Sequence, residues 1–280
     1  MPSVKSKLRK AVYSIPGTKK TWHALNRIFD GEPDFSGWGM TTHTFTPWHQ
    51  GGGDEVAKCF IKANQVIVNQ VMAGEFNLSQ FKREGNEKDV LDSLMWRHYI
   101  VYWTAWYASQ STKCKTKNLV ECGVCDGLTA SFAMHAVKEK HEFKMYLYDA
   151  WESMKSEYLL KSEEESSGCY SYLNVDNVKS NLSSYSGHTI FNKGFIPDSF
   201  DKSDNPTDLV WLHIDLNACL PTKSALEYFF DRMPSGGAIL FDDYAWHGQL
   251  DTKKVVDEFF CGKSGILLPL PTGQAVYFKH

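Results

Sequence analysis

No stretch of this chain has the order of a secretory leader, with a charged start, an apolar centre and small residues before a cleavage point. No apolar run reaches the roughly 20 residues that a bilayer span needs. A cytoplasmic protein without a membrane span is therefore expected. Basic residues are not in surplus either: 30 Lys and Arg stand against 33 Asp and Glu, for a net charge of -3. Binding to phosphate backbones draws on a positive excess, so nucleic acid is set aside as the default partner. The seven cysteines are odd in number and irregularly spaced, which excludes a disulfide framework and favours a reducing compartment. There are no internal repeats and no long low-complexity tracts.

What the chain does have is ample apolar and aromatic material. Hydrophobic residues make up 42% and charged residues 22% of its 280 positions, enough for a globular core. Aromatics reach 14%, including nine Trp; they suit a pocket for a ring-shaped ligand as well as a packed interior.

The first 110 residues do not alternate strand and helix. The opening twenty carry Lys5, Lys7, Arg9, Lys10, Lys19 and Lys20 without an acid, the pattern of a solvated terminus. Residues 31–53 are rich in Gly, Pro, Thr, His and Trp, an ordered loop in composition, with Trp38, His43, Trp48 and His49 as candidate walls of a pocket. Val56, Phe60, Ala63, Ile67 and Val71 recur at helical spacing. A second helix is predicted over 87–109, with Leu91, Leu94, Met95, His98, Val101, Tyr102 and Ala105 on its apolar stripe and three Trp widening it. Arg97 in that helix argues against a membrane span, and the aromatic surface hints at a homodimer.

From Lys117 strands and helices alternate. Strands are predicted at 118–122, 143–148, 188–193, 209–215, 237–242, 264–268 and 274–279, and helices at 128–139, 174–183, 222–232 and 251–260. That rhythm gives an α/β fold, a doubly wound, mostly parallel seven-stranded sheet with helices on both faces, preceded by an N-terminal helical and loop extension. The division expected is 1–110 for the extension and 111–280 for the sheet domain. Ser162 to Gly168, rich in Ser and Glu, reads as a loop at the sheet edge, a candidate lid.

The stretch Val120-Glu121-Cys122-Gly123-Val124-Cys125-Asp126-Gly127-Leu128-Thr129 organises the rest. It reads as a strand end, a glycine turn and a helix start, which aims unpaired N–H groups at a ligand. Cys122 and Cys125 form a C-x-x-C, but the turn already explains the segment. Asp149 ends the next strand, where nucleotide-binding α/β folds place a carboxylate for ribose hydroxyls. The glycine spacing is not G-x-G-x-x-G, which disfavours a dinucleotide site. The fourth and fifth strands end in Asp215 and in Asp242-Asp243. Neighbouring parallel strands lie about 4.8 Å apart, so these carboxylates should converge. Crowded carboxylates repel one another unless a cation or a shared proton intervenes, and oxygen-only ligands suit Mg²⁺, Mn²⁺ or Ca²⁺.

The Glu-x-Gly-x-x-x-Gly turn with its downstream acid resembles class I S-adenosylmethionine (SAM) methyltransferases, which have a Rossmann-like fold. Beyond the turn, the blocks Tyr148-Asp149-Ala150-Trp151-Glu152, Lys193-Gly194-Phe195-Ile196-Pro197-Asp198, His213-Ile214-Asp215-Leu216-Asn217, Pro221-Thr222, Gly236-Gly237 and Asp242-Asp243-Tyr244 resemble the macrocin O-methyltransferase (TylF/MycF) family of metal-dependent sugar O-methyltransferases. The resemblance covers most of 117–280; the family's second acid is Asn217 here, and its aromatic is Cys219. It implies SAM at Glu121, Gly123 and Asp149, and Mg²⁺ (or Mn²⁺) at Asp215, Asp242 and Asp243. Gly127, Thr129 and Gly194 join the expected cofactor set. The expected reaction is methylation of a hydroxyl on a sugar or glycosylated small molecule in natural-product biosynthesis, with Asp215 or His247 as the base. A catechol-type O-methyltransferase and a nicotinamide-dependent sugar oxidoreductase or epimerase are the alternatives.

Overall fold

In the computed structural model, the residues described are 55–79, 87, 91–92, 94–139, 142–245 and 250–280. All of them fall in one compact unit. Trp38, His43, Trp48, His49 and His247 lie outside the described residues.

Two helices precede the sheet. Helix α1 spans Glu55–Met72 and buries Phe60, Ala63, Ile67 and Val71, the stripe its helical spacing predicts. Helix α2 spans Met95–Ser109 and buries His98, Val101, Tyr102, Ala105 and Ala108. Its start lies later than residue 87, though Glu87, Leu91 and Asp92 also have helical backbone.

The alternating part follows in order: β1 (Lys117–Cys122), α3 (Leu128–Val137), β2 (Phe143–Asp149), α4 (Val175–Asn181), β3 (Thr189–Lys193), β4 (Trp211–Ile214), α5 (Cys219–Phe229), β5 (Ala238–Phe241), α6 (Leu250–Phe260), β6 (Gly265–Pro269) and β7 (Ala275–Lys279). The seven strands are ordered β3-β2-β1-β4-β5-β7-β6. The first five run parallel, and β7 pairs antiparallel with both β5 and β6. This is the Rossmann-like sheet of class I methyltransferases.

The central strands read as continuous apolar runs because both of their faces are covered. Trp211, Leu212, His213 and Ile214 of β4 are all buried, as are the four residues of β5. Alternate residues serve two cores. Leu119, Leu147 and Trp211 pack with α1, α2 and α3, whereas Val120, Tyr148 and Leu212 pack with Leu226, Phe229 and Phe260 of α5 and α6.

The compact unit thus reaches back beyond residue 110, since α2 lies against α1, α3, β4 and β5. A buried polar contact contributes to this docking: the indole Nε1 of Trp211 donates to Thr104 Oγ1 at 3.0 Å. Replacing Thr104 with Val keeps the shape of the side chain and removes that acceptor. The expected cost is about 1–3 kcal/mol from the orphaned indole N–H, read as a lower urea midpoint; an unchanged midpoint would show that the bond does not hold α2 in place.

The Ser/Glu-rich piece is anchored. Residues Lys161–Ser166 form 3₁₀ turns, in which Glu163 accepts from the backbone N–H groups of Leu160 and of Cys219, the first residue of α5. Ser162 Oγ donates to Asp251 of α6 at 2.7 Å. A free lid is not what these contacts describe.

Candidate active site

The site forms where β1, β2, β4 and β5 end, and its geometry begins with the backbone. Past the strand tips the ladder continues: Gly123 N–H donates to Tyr148 O, Asp215 N–H to Cys122 O and Asp242 N–H to Ile214 O, all at 2.8–3.0 Å. Asp215 and Asp242 are thereby held side by side. Gly123 has φ +86°, and a Cβ there would lie 1.8 Å from the carbonyl oxygen of Asp215. Only glycine lets the β1 turn pass this close to the β4 tip. Gly127, at φ +83°, precedes α3 and faces Val178 and Leu182 side chains at 3.1 Å from its would-be Cβ. Gly194, after β3, donates its N–H to Asp149 O at 2.9 Å.

Four described non-glycine residues have positive φ: Cys125, Trp151, Tyr170 and Asn217. Three of them directly follow or closely succeed the tips of β1, β2 and β4. The Tyr170 phenol is pushed above its ordinary range by burial and then by the charges of Asp215 and Asp243, which places Tyr170 in the same neighbourhood. Sparsely populated backbone of this kind gathers where a site constrains the chain.

Asp149 is tied to the turn. Its Oδ2 accepts from the N–H groups of Val124 (2.7 Å) and Cys125 (2.9 Å), and its Oδ1 accepts from Trp151 N–H at 2.6 Å. A carboxylate offers about four acceptor positions, so capacity for one further hydroxyl remains. Burial raises its pKa, while those three N–H donors pull it back. Glu121 and Thr129 sit behind the turn rather than on its surface. Glu121 is fully buried, its Oε1 accepting from Thr129 Oγ1 at 2.5 Å and lying 2.8 Å from His213 Nδ1.

The carboxylates of β4 and β5 do converge, and a guanidinium lies between them. Arg97, near the start of α2, places Nη2 2.7 Å from Asp215 Oδ2 and 2.6 Å from Asp242 Oδ2. Its Nε donates to Asp242 Oδ1 at 2.7 Å. Asp242 Oδ1 also accepts from Gln274 Nε2 at 2.9 Å, and Asp215 Oδ1 from Asn217 Nδ2 at 3.2 Å. Burial opposes ionisation of Asp242, but Arg97 and His213 outweigh it and hold the carboxyl well below its usual range. Asp215 is pushed up to about 6 by burial and then by Asp242, with Arg97 opposing. Burial, followed by Asp215 and Asp242, raises Asp243 well above its ordinary value. Burial disfavours the charged form of His213 too, but Asp242 and Glu121 outweigh it and bring its pKa up to about 9.

Arg97, His213 and Gln274 are participants to which the sequence analysis gives no role. Arg97 showed only as a lone cation on an apolar helix, and His213 as a polar residue inside an apolar strand.

Whether a divalent cation suits this set can be judged from donor chemistry. Four acidic side chains (Glu121, Asp215, Asp242, Asp243) face two cationic ones (Arg97, His213). A buried Asp243 Oδ2 has no hydrogen-bond partner, and neither has His213 Nε2. Ligand atoms of His213, Asp215 and Asp242 lie within 4.8 Å of one another. Acid in excess and an orphaned carboxylate oxygen fit a hard cation, with Arg97 already bonded to two of the expected ligands.

Comparison with known proteins agrees with this architecture. Residues 120–244 match a family described as a methyltransferase domain. Residues 120–244 thus carry a methyltransferase domain on the Rossmann-like sheet, in place of the nicotinamide-dependent enzyme considered as an alternative. Among solved structures it is similar to the O-methyltransferase NovP, with 15% identity over 80% of this chain and 99% of that one and a TM-score of 0.61. It also resembles CalS11, the calicheamicin methyltransferase, with 14% identity over 88% of this chain and 99% of that one and a TM-score of 0.51. No curated protein matches the chain in sequence. Among the described residues no helix is long and apolar enough to cross a membrane.

The contact at Gly123 gives a direct check on the turn. Gly123→Ala is expected to lose more than about 2 kcal/mol of stability, because both its φ and its space are forbidden to a side chain. Gly127→Ala, meeting only side-chain atoms that can shift, should lose less. Urea unfolding of the two variants tests that order; equal losses would mean the β1 turn does not depend on the close approach to Asp215.

Proposed function

We propose that this protein transfers the methyl group of SAM to a hydroxyl of a sugar or glycosylated small molecule, as in the macrocin O-methyltransferase family, with Mg²⁺ or Mn²⁺ held by Asp215, Asp242 and Asp243. The observation that carries this reading is the crowding of three aspartates at the tips of β4 and β5, next to the Gly123 turn. Similarity in fold to NovP, described as an O-methyltransferase, supports oxygen as the acceptor atom. The motif blocks around Asp149, Gly194, Asp215 and Asp242 support a sugar as its carrier.

The SAM nucleoside would lie along the ends of β1 and β2. Asp149 would use its remaining acceptor position for a ribose hydroxyl, while the Asp149-braced turn and the start of α3 would close on the amino-acid portion. Glu121 and Thr129 serve from behind: their hydrogen bond joins the strand end to the first turn of α3. Methyl transfer breaks the carbon–sulfur bond and forms a carbon–oxygen bond in line, so the protein chiefly aligns the two reactants. A divalent ion, when bound, supplies acidification of the acceptor hydroxyl. Asp215, standing at the edge between turn and carboxylate cluster, takes the hydroxyl proton. His247 is a second candidate for that proton and lies outside the described residues.

Asp243 provides the cleanest test, because its buried Oδ2 has no hydrogen-bond partner in the fold. Asp243→Asn is expected to lower methyl transfer to nucleotide sugars or glycosides by at least about 100-fold. SAM affinity measured by calorimetry should change less than threefold. Full activity in this variant, or in enzyme exhaustively treated with EDTA, would remove the metal from the reaction. Loss of SAM binding instead would move Asp243 to the cofactor site.

A further inference from the structure

The expected metal ligands already have a cation. Both oxygens of Asp242 are engaged: Oδ1 by Arg97 Nε and Gln274 Nε2, and Oδ2 by Arg97 Nη2. On Asp215, Oδ2 is engaged by Arg97 Nη2 and Oδ1 by Asn217 Nδ2. A guanidinium fork and a hard dication need the same lone pairs and cannot hold them together. Arg97 is also kept close by its backbone, since α2 buries Val101, Tyr102, Ala105 and Ala108 against the sheet core. Its side chain is long enough to rotate away from the carboxylates while the helix stays docked.

We propose that Arg97 is a tethered competitor for the cation site: it bridges Asp215 and Asp242 when no metal is bound, and a divalent ion binds only as the guanidinium gives up those oxygens. The proposal rests on the metal reading given above and adds that Arg97 sets the site's affinity. The backbone already sets Asp215 and Asp242 side by side, and Arg97 offsets part of the repulsion between their carboxylates while no metal is bound. The cost falls on the metal, whose apparent affinity drops by the fraction of molecules in which the bridge is open. If the bridge is closed in about nine molecules of ten, its removal tightens metal binding about tenfold. An arginine whose role was to position ligands for the metal would act in the opposite direction.

Mn²⁺ binding, followed by the loss of the free-ion electron paramagnetic resonance signal in the presence of S-adenosylhomocysteine, separates these roles without reference to turnover. Arg97→Gln is expected to bind Mn²⁺ about tenfold more tightly than the wild type, and Arg97→Lys, which keeps the charge but not the fork, to fall between. Equal or weaker binding by Arg97→Gln, with the ion still bound by the wild type, would overturn the competitor role and leave the metal reading intact. Failure of every form to bind Mn²⁺ at millimolar concentration would overturn the metal reading and the proposal with it. The wild type offers a second measurement should the variants not fold: the Arg97 Nε–H resonance is expected to shift as Mg²⁺ saturates the site. A resonance that stays in place during saturation would contradict displacement.

Discussion

The arrangement of this protein depends on charge balance at one spot, the tips of β4 and β5. Burying a carboxylate costs several kcal/mol unless a cation or donors receive it, and here Asp215, Asp242 and Asp243 are brought together by adjacent parallel strands. Arg97 answers part of that charge from α2, and His213 answers part from within β4. The pairing of His213 with Glu121 continues the network to the end of β1, so one chain of charges runs from α2 through the sheet to the glycine turn.

Around this spot the backbone gives way. The turn after β1 passes so close to Asp215 that only glycine fits, and Cys125, Trp151 and Asn217 adopt left-handed backbone in the loops that follow β1, β2 and β4. Asp149 then fastens two of these loops to each other through three N–H donors. The turn after β1 is therefore braced without any ligand, which limits the ordering that binding there would require.

Much of the fold was legible because interior parallel strands are apolar on both faces. Leu209 to Ile214 and Ala238 to Phe241 announce themselves as runs, and the aspartates that follow them converge at the strand tips. The α1 stripe was equally plain, through Phe60, Ala63, Ile67 and Val71. Less visible was anything that depends on partners far apart in the chain. Arg97 lies 118 residues from Asp215 and 145 from Asp242, and in sequence it looked like an interruption of an aromatic helix. His213 looked like strand filler, yet it joins Glu121 and Asp242. The change of rhythm at Lys117 marks where strands begin but not where the core begins, because α1 and α2 have no sheet of their own and can bury their apolar faces only against this one. The Ser/Glu-rich piece reads as free because its polarity suits solvent; Glu163 instead accepts from the N–H of Cys219 at the start of α5.

A crystal structure grown with S-adenosylhomocysteine and Mn²⁺ tests the central claim most directly, since anomalous scattering locates the ion and the electron density shows the guanidinium beside it. The expected result is a single peak bounded by Asp215, Asp242 and Asp243, with Arg97 turned away from the aspartates. Absence of any peak at millimolar Mn²⁺, with Arg97 still spanning Asp215 and Asp242, would contradict it.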